Sequence, residues 1–314
     1  MPPSSPTPSH PSTAVRPALR LEGTYTALVT PFSSQDLAVD FEAMDALIDA
    51  QVAGGVAGLV PCGTTGESPT LSHEEHALVI ERTVQRAAKR VQVFAGAGSN
   101  STREAIAMAQ HAERVGADGL MIVVPYYNRP TQEGLVRHFV EVAGRVRVPI
   151  IVYNIPVRTG VDLLPESLAR ICAEAPNVVA TKEATGNVLR AQRLTQLLGD
   201  RLVVLSGDDA LTLPMIATGA RGVISVTSNV LPAEVTRATR LALDGKIEEA
   251  RRAHLALLPV HDAMFLEASP GPVKAALAAR GLISDAVRSP LNTVSEATRR
   301  ALAAALDTYA RNAR

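Results

Sequence analysis

At 314 residues the chain can bury a large core, as one α/β domain or as two smaller ones. With 46% hydrophobic residues, 20% charged residues and a formal net charge of zero, its composition is that of a soluble globular protein. The balance excludes a basic field for nucleic acid and an acidic disordered tail. Two cysteines, Cys62 and Cys172, cannot build a disulfide framework, so reduced thiols in the cytoplasm are the simpler expectation.

Residues 1–20 are rich in Pro, Ser and Thr and lack the apolar segment of a signal peptide, which predicts a disordered extension. The longest apolar runs, such as residues 119–125, are too short to span a bilayer. Beyond residue 20, short β-branched or apolar runs alternate with amphipathic stretches. The predicted strands are residues 24–29, 58–61, 91–96, 119–124, 149–153, 178–182, 202–206 and 222–226. Most of the intervening segments have helical character. Phe41, Met44, Leu47, Ile48, Gln51 and Val52 follow the spacing of one helical face. Ser72-His73-Glu74-Glu75 and Ser101-Thr102-Arg103-Glu104 each fit a capping box at a helix start.

Eight such units predict a (β/α)8 TIM barrel over residues 21–230. A doubly wound sheet would place a Gly-rich phosphate turn after its first strand, and Val29-Thr30-Pro31-Phe32 has none. Helices predicted at 233–243, 247–265, 272–280 and 295–310 form a C-terminal helical appendage, residues 231–314. No Gly/Ser linker precedes it, so it is expected to pack on the barrel.

Reactive residues cluster just after the predicted strands, the face on which barrel enzymes place catalysis. Only four of the 31 basic residues are lysines, and one of them, Lys182, closes the apolar run Val178-Val179-Ala180-Thr181. Burial at a strand end favours the neutral amine, which Schiff-base chemistry with a ketone requires. The competing reading is a structural lysine paired with a carboxylate such as Glu183. Thr64 and Thr65 could equally serve their turn, Tyr153 the core, and Arg158 a surface loop. His73 and His76 read as solvated residues of a helix's first turn, and both cysteines as packing residues. The strand ends hold no cluster of His and carboxylates of the kind a metal site uses.

Gly63-Thr64-Thr65-Gly66-Glu67, Tyr153-Asn154-Ile155-Pro156 with Arg158-Thr159-Gly160, and Lys182-Glu183-Ala184-Thr185-Gly186-Asn187 resemble the dihydrodipicolinate synthase family. The resemblance runs from about Leu21 to the final helices, with its motifs in the expected order. It implies a Schiff-base-forming lyase of the lysine and diaminopimelate route, with no cofactor beyond the covalent adduct of pyruvate on Lys182. The derived enamine would attack L-aspartate 4-semialdehyde. By the same resemblance Tyr153 transfers protons in a triad with Thr65 and Tyr127, the latter reaching into a neighbouring subunit of a homotetramer. Arg158 would engage the semialdehyde carboxylate, while Thr64, Thr65, Gly207 and Ile224 would surround pyruvate. Ser68, His73, His76, Asn100, Glu104 and Tyr126 match a site at which L-lysine inhibits some members. The segment from Glu267 to Lys274 departs from the family's usual wording, and its loop is expected near the site mouth. The rival functions are another pyruvate-dependent aldolase, such as an N-acetylneuraminate lyase or a 2-keto-3-deoxy sugar-acid aldolase, and a non-catalytic ligand-binding barrel.

Overall fold

A computed structural model describes residues 21–312; the predicted extension at residues 1–20 lies outside them. Eight parallel strands close into a barrel in chain order: β1 (Gly23–Ala27), β2 (Gly58–Val60), β3 (Gln92–Gly96), β4 (Gly119–Val123), β5 (Ile150–Asn154), β6 (Val178–Glu183), β7 (Val203–Ser206) and β8 (Gly222–Ser225). β1 closes the ring by pairing with β8. Between them run α1 (Phe41–Ala53), α2 (His73–Ala87), α3 (Thr102–Arg114), α4 (Gln132–Ala143), the single turn α5 (Pro156–Thr159), α6 (Pro165–Glu174), α7 (Val188–Leu198) and α8 (Thr212–Ala217). The C-terminal region supplies α9 (Pro232–Leu243), α10 (Ile247–Ala263), α11 (Gly271–Ala279) and α12 (Glu296–Asn312). Each strand lies within two residues of its predicted bounds. Among the described residues no helix is long and apolar enough to cross a membrane.

The fold follows from period-two alternation in the strands. Tyr25, Val60, Phe94, Met121, Ile151, Ala180, Leu205 and Ile224 point inward and fill the barrel, one from each strand. Their neighbours point outward and bury against the helices in a second core, in which Leu59, Val93, Leu120, Ile150 and Val152 meet Ile80, Phe139 and Leu168. A third cluster joins α9 to α12 and reaches the barrel through Val29, Leu47 and Val223. The C-terminal helices therefore share this cluster with residues of the barrel and α1.

Helix starts show where local signals held. At α2 the box is reciprocal: Ser72 accepts from the Glu75 amide, and Glu75 accepts from the Ser72 amide. At α3 only half of the expected box forms. Ser101 accepts from the Glu104 amide at 3.4 Å, but its own amide donates to Ser99 Oγ at 3.0 Å. The Glu104 carboxylate turns instead to the Ser99 hydroxyl and to His73 Nε2, 3.2 Å away.

Candidate active site

The strand predicted to end at Lys182 continues one residue further. Its backbone pairing persists through Glu183, opposite Asn154 of β5 and Ser206 of β7. The extra residue separates two functions by alternation. Lys182 faces into the barrel beside Tyr153 and Leu205, while Glu183 faces outward. There the Glu183 carboxylate accepts from the Thr185 amide at 2.9 Å and from Arg190 Nε at 3.0 Å. Glu183 is thus committed to Arg190, and the pairing of Lys182 with Glu183 does not occur.

Lys182 is 5% exposed and has no ion-pair partner among the described residues. Desolvation is the main reason its pKa falls to about 8; Arg158 lowers it further and Asp209 opposes the fall. At pH 7 that leaves about one amine in ten neutral, against about one in 2,500 for an unperturbed lysine. Nζ sits 4.2 Å from the centre of the Tyr153 ring, its register partner one strand away. Burial raises the Tyr153 pKa, and Arg158 and a hydrogen bond with the Thr64 side chain pull it back.

That bond corrects one expectation. The threonine hydrogen-bonded to Tyr153 is Thr64; Thr65 is buried in the same turn, and among the described residues no hydrogen bond joins it to Tyr153. Cys62 and Glu67 both take left-handed φ, +55° and +53°, on either side of the two threonines. The turn fits only because β3 ends in Gly96, where a Cβ would lie 2.1 Å from the Cys62 carbonyl oxygen. Tyr127 does not meet Tyr153 within this chain: it has φ +71° and is 88% exposed.

Tyr153, Thr64 and Arg158 line a cavity of about 490 Å³ over the C-terminal end of the barrel. Lys182 is not itself a lining residue; its neighbour Tyr153 is. Arg158 is exposed on α5 and has no ion-pair partner among the described residues, so its guanidinium is available to an anion entering the cavity. Asn154 fixes that loop: Nδ2 donates to Asp162 at 2.8 Å and Oδ1 accepts from the Leu163 amide at 3.1 Å. Ile224 is fully buried in the barrel interior. Gly207 follows β7 and donates its amide to the Glu183 carbonyl at 2.8 Å.

Of the second predicted set, Ser68, His73, His76, Glu104 and Tyr126 line the same cavity. Asn100 is not among the lining residues; its carbonyl accepts from Asn128. His76 is 6% exposed rather than solvated, its Nε2 has no hydrogen-bond partner among the described residues, and burial holds its pKa near 4.

Sequence reasoning gave no role to three residues around the turn. Glu67 forms an ion pair with Lys274 of α11 at 2.5 Å, with both side chains fully buried. Its other carboxylate oxygen accepts from the Arg288 amide at 3.1 Å. The only sequence signal was the scarcity of lysine, since the partners are far apart in the chain. Across the barrel, Asp209 accepts from Ser225 Oγ at 2.5 Å and from the amides of Val226 and Thr227, fixing the loop after β8.

A barrel with a buried, partly neutral lysine facing a tyrosine at its C-terminal end defines a class of enzyme that forms Schiff bases with ketones. Within that class the chain belongs to the dihydrodipicolinate synthetase family, whose sequence profile matches residues 20–309. It is 59% identical over 288 residues to the 4-hydroxy-tetrahydrodipicolinate synthase of Sorangium cellulosum, covering 92% of this chain and 96% of that one. Among solved structures, the 4-hydroxy-tetrahydrodipicolinate synthase of Methylacidiphilum fumariolicum superposes with a TM-score of 0.91 at 44% identity, over 93% of this chain and 97% of that one. The DHDPS from Cyanidioschyzon merolae with lysine bound gives 0.89 at 36% identity, over 92% and 98%.

Proposed function

We propose that Lys182 carries the reaction of a 4-hydroxy-tetrahydrodipicolinate synthase, and that this chain is a Schiff-base-forming lyase condensing pyruvate with L-aspartate 4-semialdehyde. The observation that carries this reading is the register of Lys182 with Tyr153, which puts a desolvated amine beside a phenol at the barrel's catalytic end. The neutral amine adds to the pyruvate ketone and loses water to give an iminium. A methyl proton leaves to form the enamine, with Tyr153 carrying it and Thr64 orienting the phenol. The enamine carbon attacks the aldehyde of the second substrate, whose oxygen takes up a proton. That substrate's amine then adds to the iminium carbon, closes the ring and expels Lys182.

Arg158 is the docking group for the semialdehyde carboxylate, since its rigid fork of donors suits a carboxylate. Thr64, Thr65, Gly207 and Ile224 border the pyruvate end. A carboxylate-binding arginine favours this aldehyde over the sugar substrates of other pyruvate aldolases. Tyr127, extended into solvent, is suited to complete the relay of a neighbouring subunit, which supports a homotetramer built from dimers. The enzyme is assigned to the cytoplasm, where a lysine-forming route runs.

Borohydride reduction with pyruvate, followed by peptide mapping, tests the assignment, together with turnover coupled to an NADPH-consuming reductase. Adduct on Lys182 and turnover with the semialdehyde are expected. Adduct without turnover would discard the aldehyde, and neither signal would sink the scheme.

L-Lysine is the second ligand we infer. The cavity wall formed by Ser68, His73, His76, Glu104 and Tyr126 supports it, offering a carboxylate for an ammonium and the lone pair of a neutral His76. Inhibition by lysine below millimolar levels is expected; a flat titration would remove this part.

A further inference from the structure

The catalytic turn is held from outside the barrel. Glu67 stands three residues after Thr64 and closes the turn, its amide donating to the Thr64 carbonyl at 3.1 Å. Its carboxylate is gripped on one oxygen by Lys274 and on the other by the Arg288 amide. Lys274 also donates to the Ala286 carbonyl at 2.9 Å, so it is fixed on both sides. The Arg288 guanidinium reaches three separate pieces of the catalytic face. It donates to the Thr70 carbonyl at 2.9 Å, to the Leu37 carbonyl at 2.7 Å, and to both oxygens of Glu75 at 2.6 Å. Phe32 packs against both cations, 4.0 Å from Lys274 Nζ and 4.3 Å from the Arg288 guanidinium carbon.

A buried ion pair is a costly way to gain stability, because desolvation consumes most of the attraction. Its geometric value is greater: the carboxylate has one resting place, and the turn attached to it has one shape. We propose that Glu67, clamped by Lys274 and Arg288, is a positioning residue that sets Thr64 against the Tyr153 hydroxyl. It acts through Thr64 on proton transfer and not on formation of the Schiff base. Loosening the clamp leaves Lys182 reactive and misplaces the phenol, and a displacement near 1 Å costs up to about 100-fold in rate.

The inference rests on the Schiff-base reading, and one assay separates the two. With pyruvate alone in D2O, the enzyme breaks a methyl C–H bond, passes the proton to the relay and returns a deuteron, which NMR follows. Borohydride trapping measures the adduct independently. Two variants are compared with wild type: Glu67→Gln/Lys274→Met, which removes both charges together, and Glu67→Gln, which removes the ion pair from the turn's side alone. The expected result is exchange about 10- to 100-fold slower, with trapped adduct and pyruvate KM within about twofold of wild type. A merely structural role would lower adduct and exchange together, and that result overturns the inference, as does wild-type exchange in both variants. If the double variant does not fold, Glu67→Gln decides alone by the same split. A wild type that traps no pyruvate overturns the Schiff-base reading, and this inference with it.

Discussion

Lys182 and Lys274 are both buried lysines, with 5% and 0% exposure, and they do opposite things. Lys182 faces an aromatic ring with no ion-pair partner among the described residues, and desolvation brings its pKa to about 8. Lys274 meets Glu67 at 2.5 Å, and that carboxylate counters the same desolvation. Burial alone favours the neutral amine that the proposed nucleophile needs; burial with a carboxylate holds a structural cation. The difference lies in the partner and not in the depth.

The comparison breaks most sharply at Lys182 itself. Lys182→Met should lower turnover by at least about 10³-fold and abolish the borohydride adduct, because no other group replaces a covalent nucleophile. Lys274→Met should leave Glu67 charged without its cation, lowering unfolding free energy by about 3–5 kcal/mol in denaturant titrations. Adding Glu67→Gln should recover most of that loss; no recovery would mean that the pair is not what couples these sites. Lys182→Met should do the reverse and stabilise the fold. The folded pKa of Lys182 lies below its unfolded value, so the unfolded chain holds the extra proton between about pH 8 and 10.5. Its burial therefore costs up to about 3 kcal/mol at neutral pH, and the cost fades as pH rises through that window. Melting temperatures of the variant and wild type should differ most below pH 8 and converge near pH 10.5. The smallest effect is expected at Arg158, whose loss should raise KM for the semialdehyde about 10- to 100-fold while leaving pyruvate KM unchanged. Equal rises for both substrates would remove its assigned role.

Much of this was legible in the sequence because it is local. The strands announce themselves by β-branched runs, and Lys182 by its place at the end of one. The turn Gly63-Thr64-Thr65-Gly66-Glu67 was equally visible as a motif, yet Thr65 was the threonine expected beside Tyr153. Which hydroxyl faces the phenol is set by the folded shape of the turn, which residue types alone do not disclose. Glu104 shows the same limit: its spacing from Ser101 fits a capping box, and tertiary contacts with Ser99 and His73 draw its carboxylate away. His76 read as solvated because a first helical turn is usually exposed; here His73 and Glu74 are exposed, but His76 faces inward, and its ring is buried and neutral. The Glu67–Lys274 contact had no local signature, since it joins a barrel turn to a helix near the other end of the chain.

The clamp also shapes how this chain can vary over generations. Replacing either Glu67 or Lys274 alone by an uncharged residue would strand a charge in the interior, so such a single substitution is expected to pass through a variant that folds poorly. Only a paired exchange escapes that valley. The turn and the C-terminal helices are therefore inherited as one unit, and a recombination breakpoint between them would separate residues that have to change together.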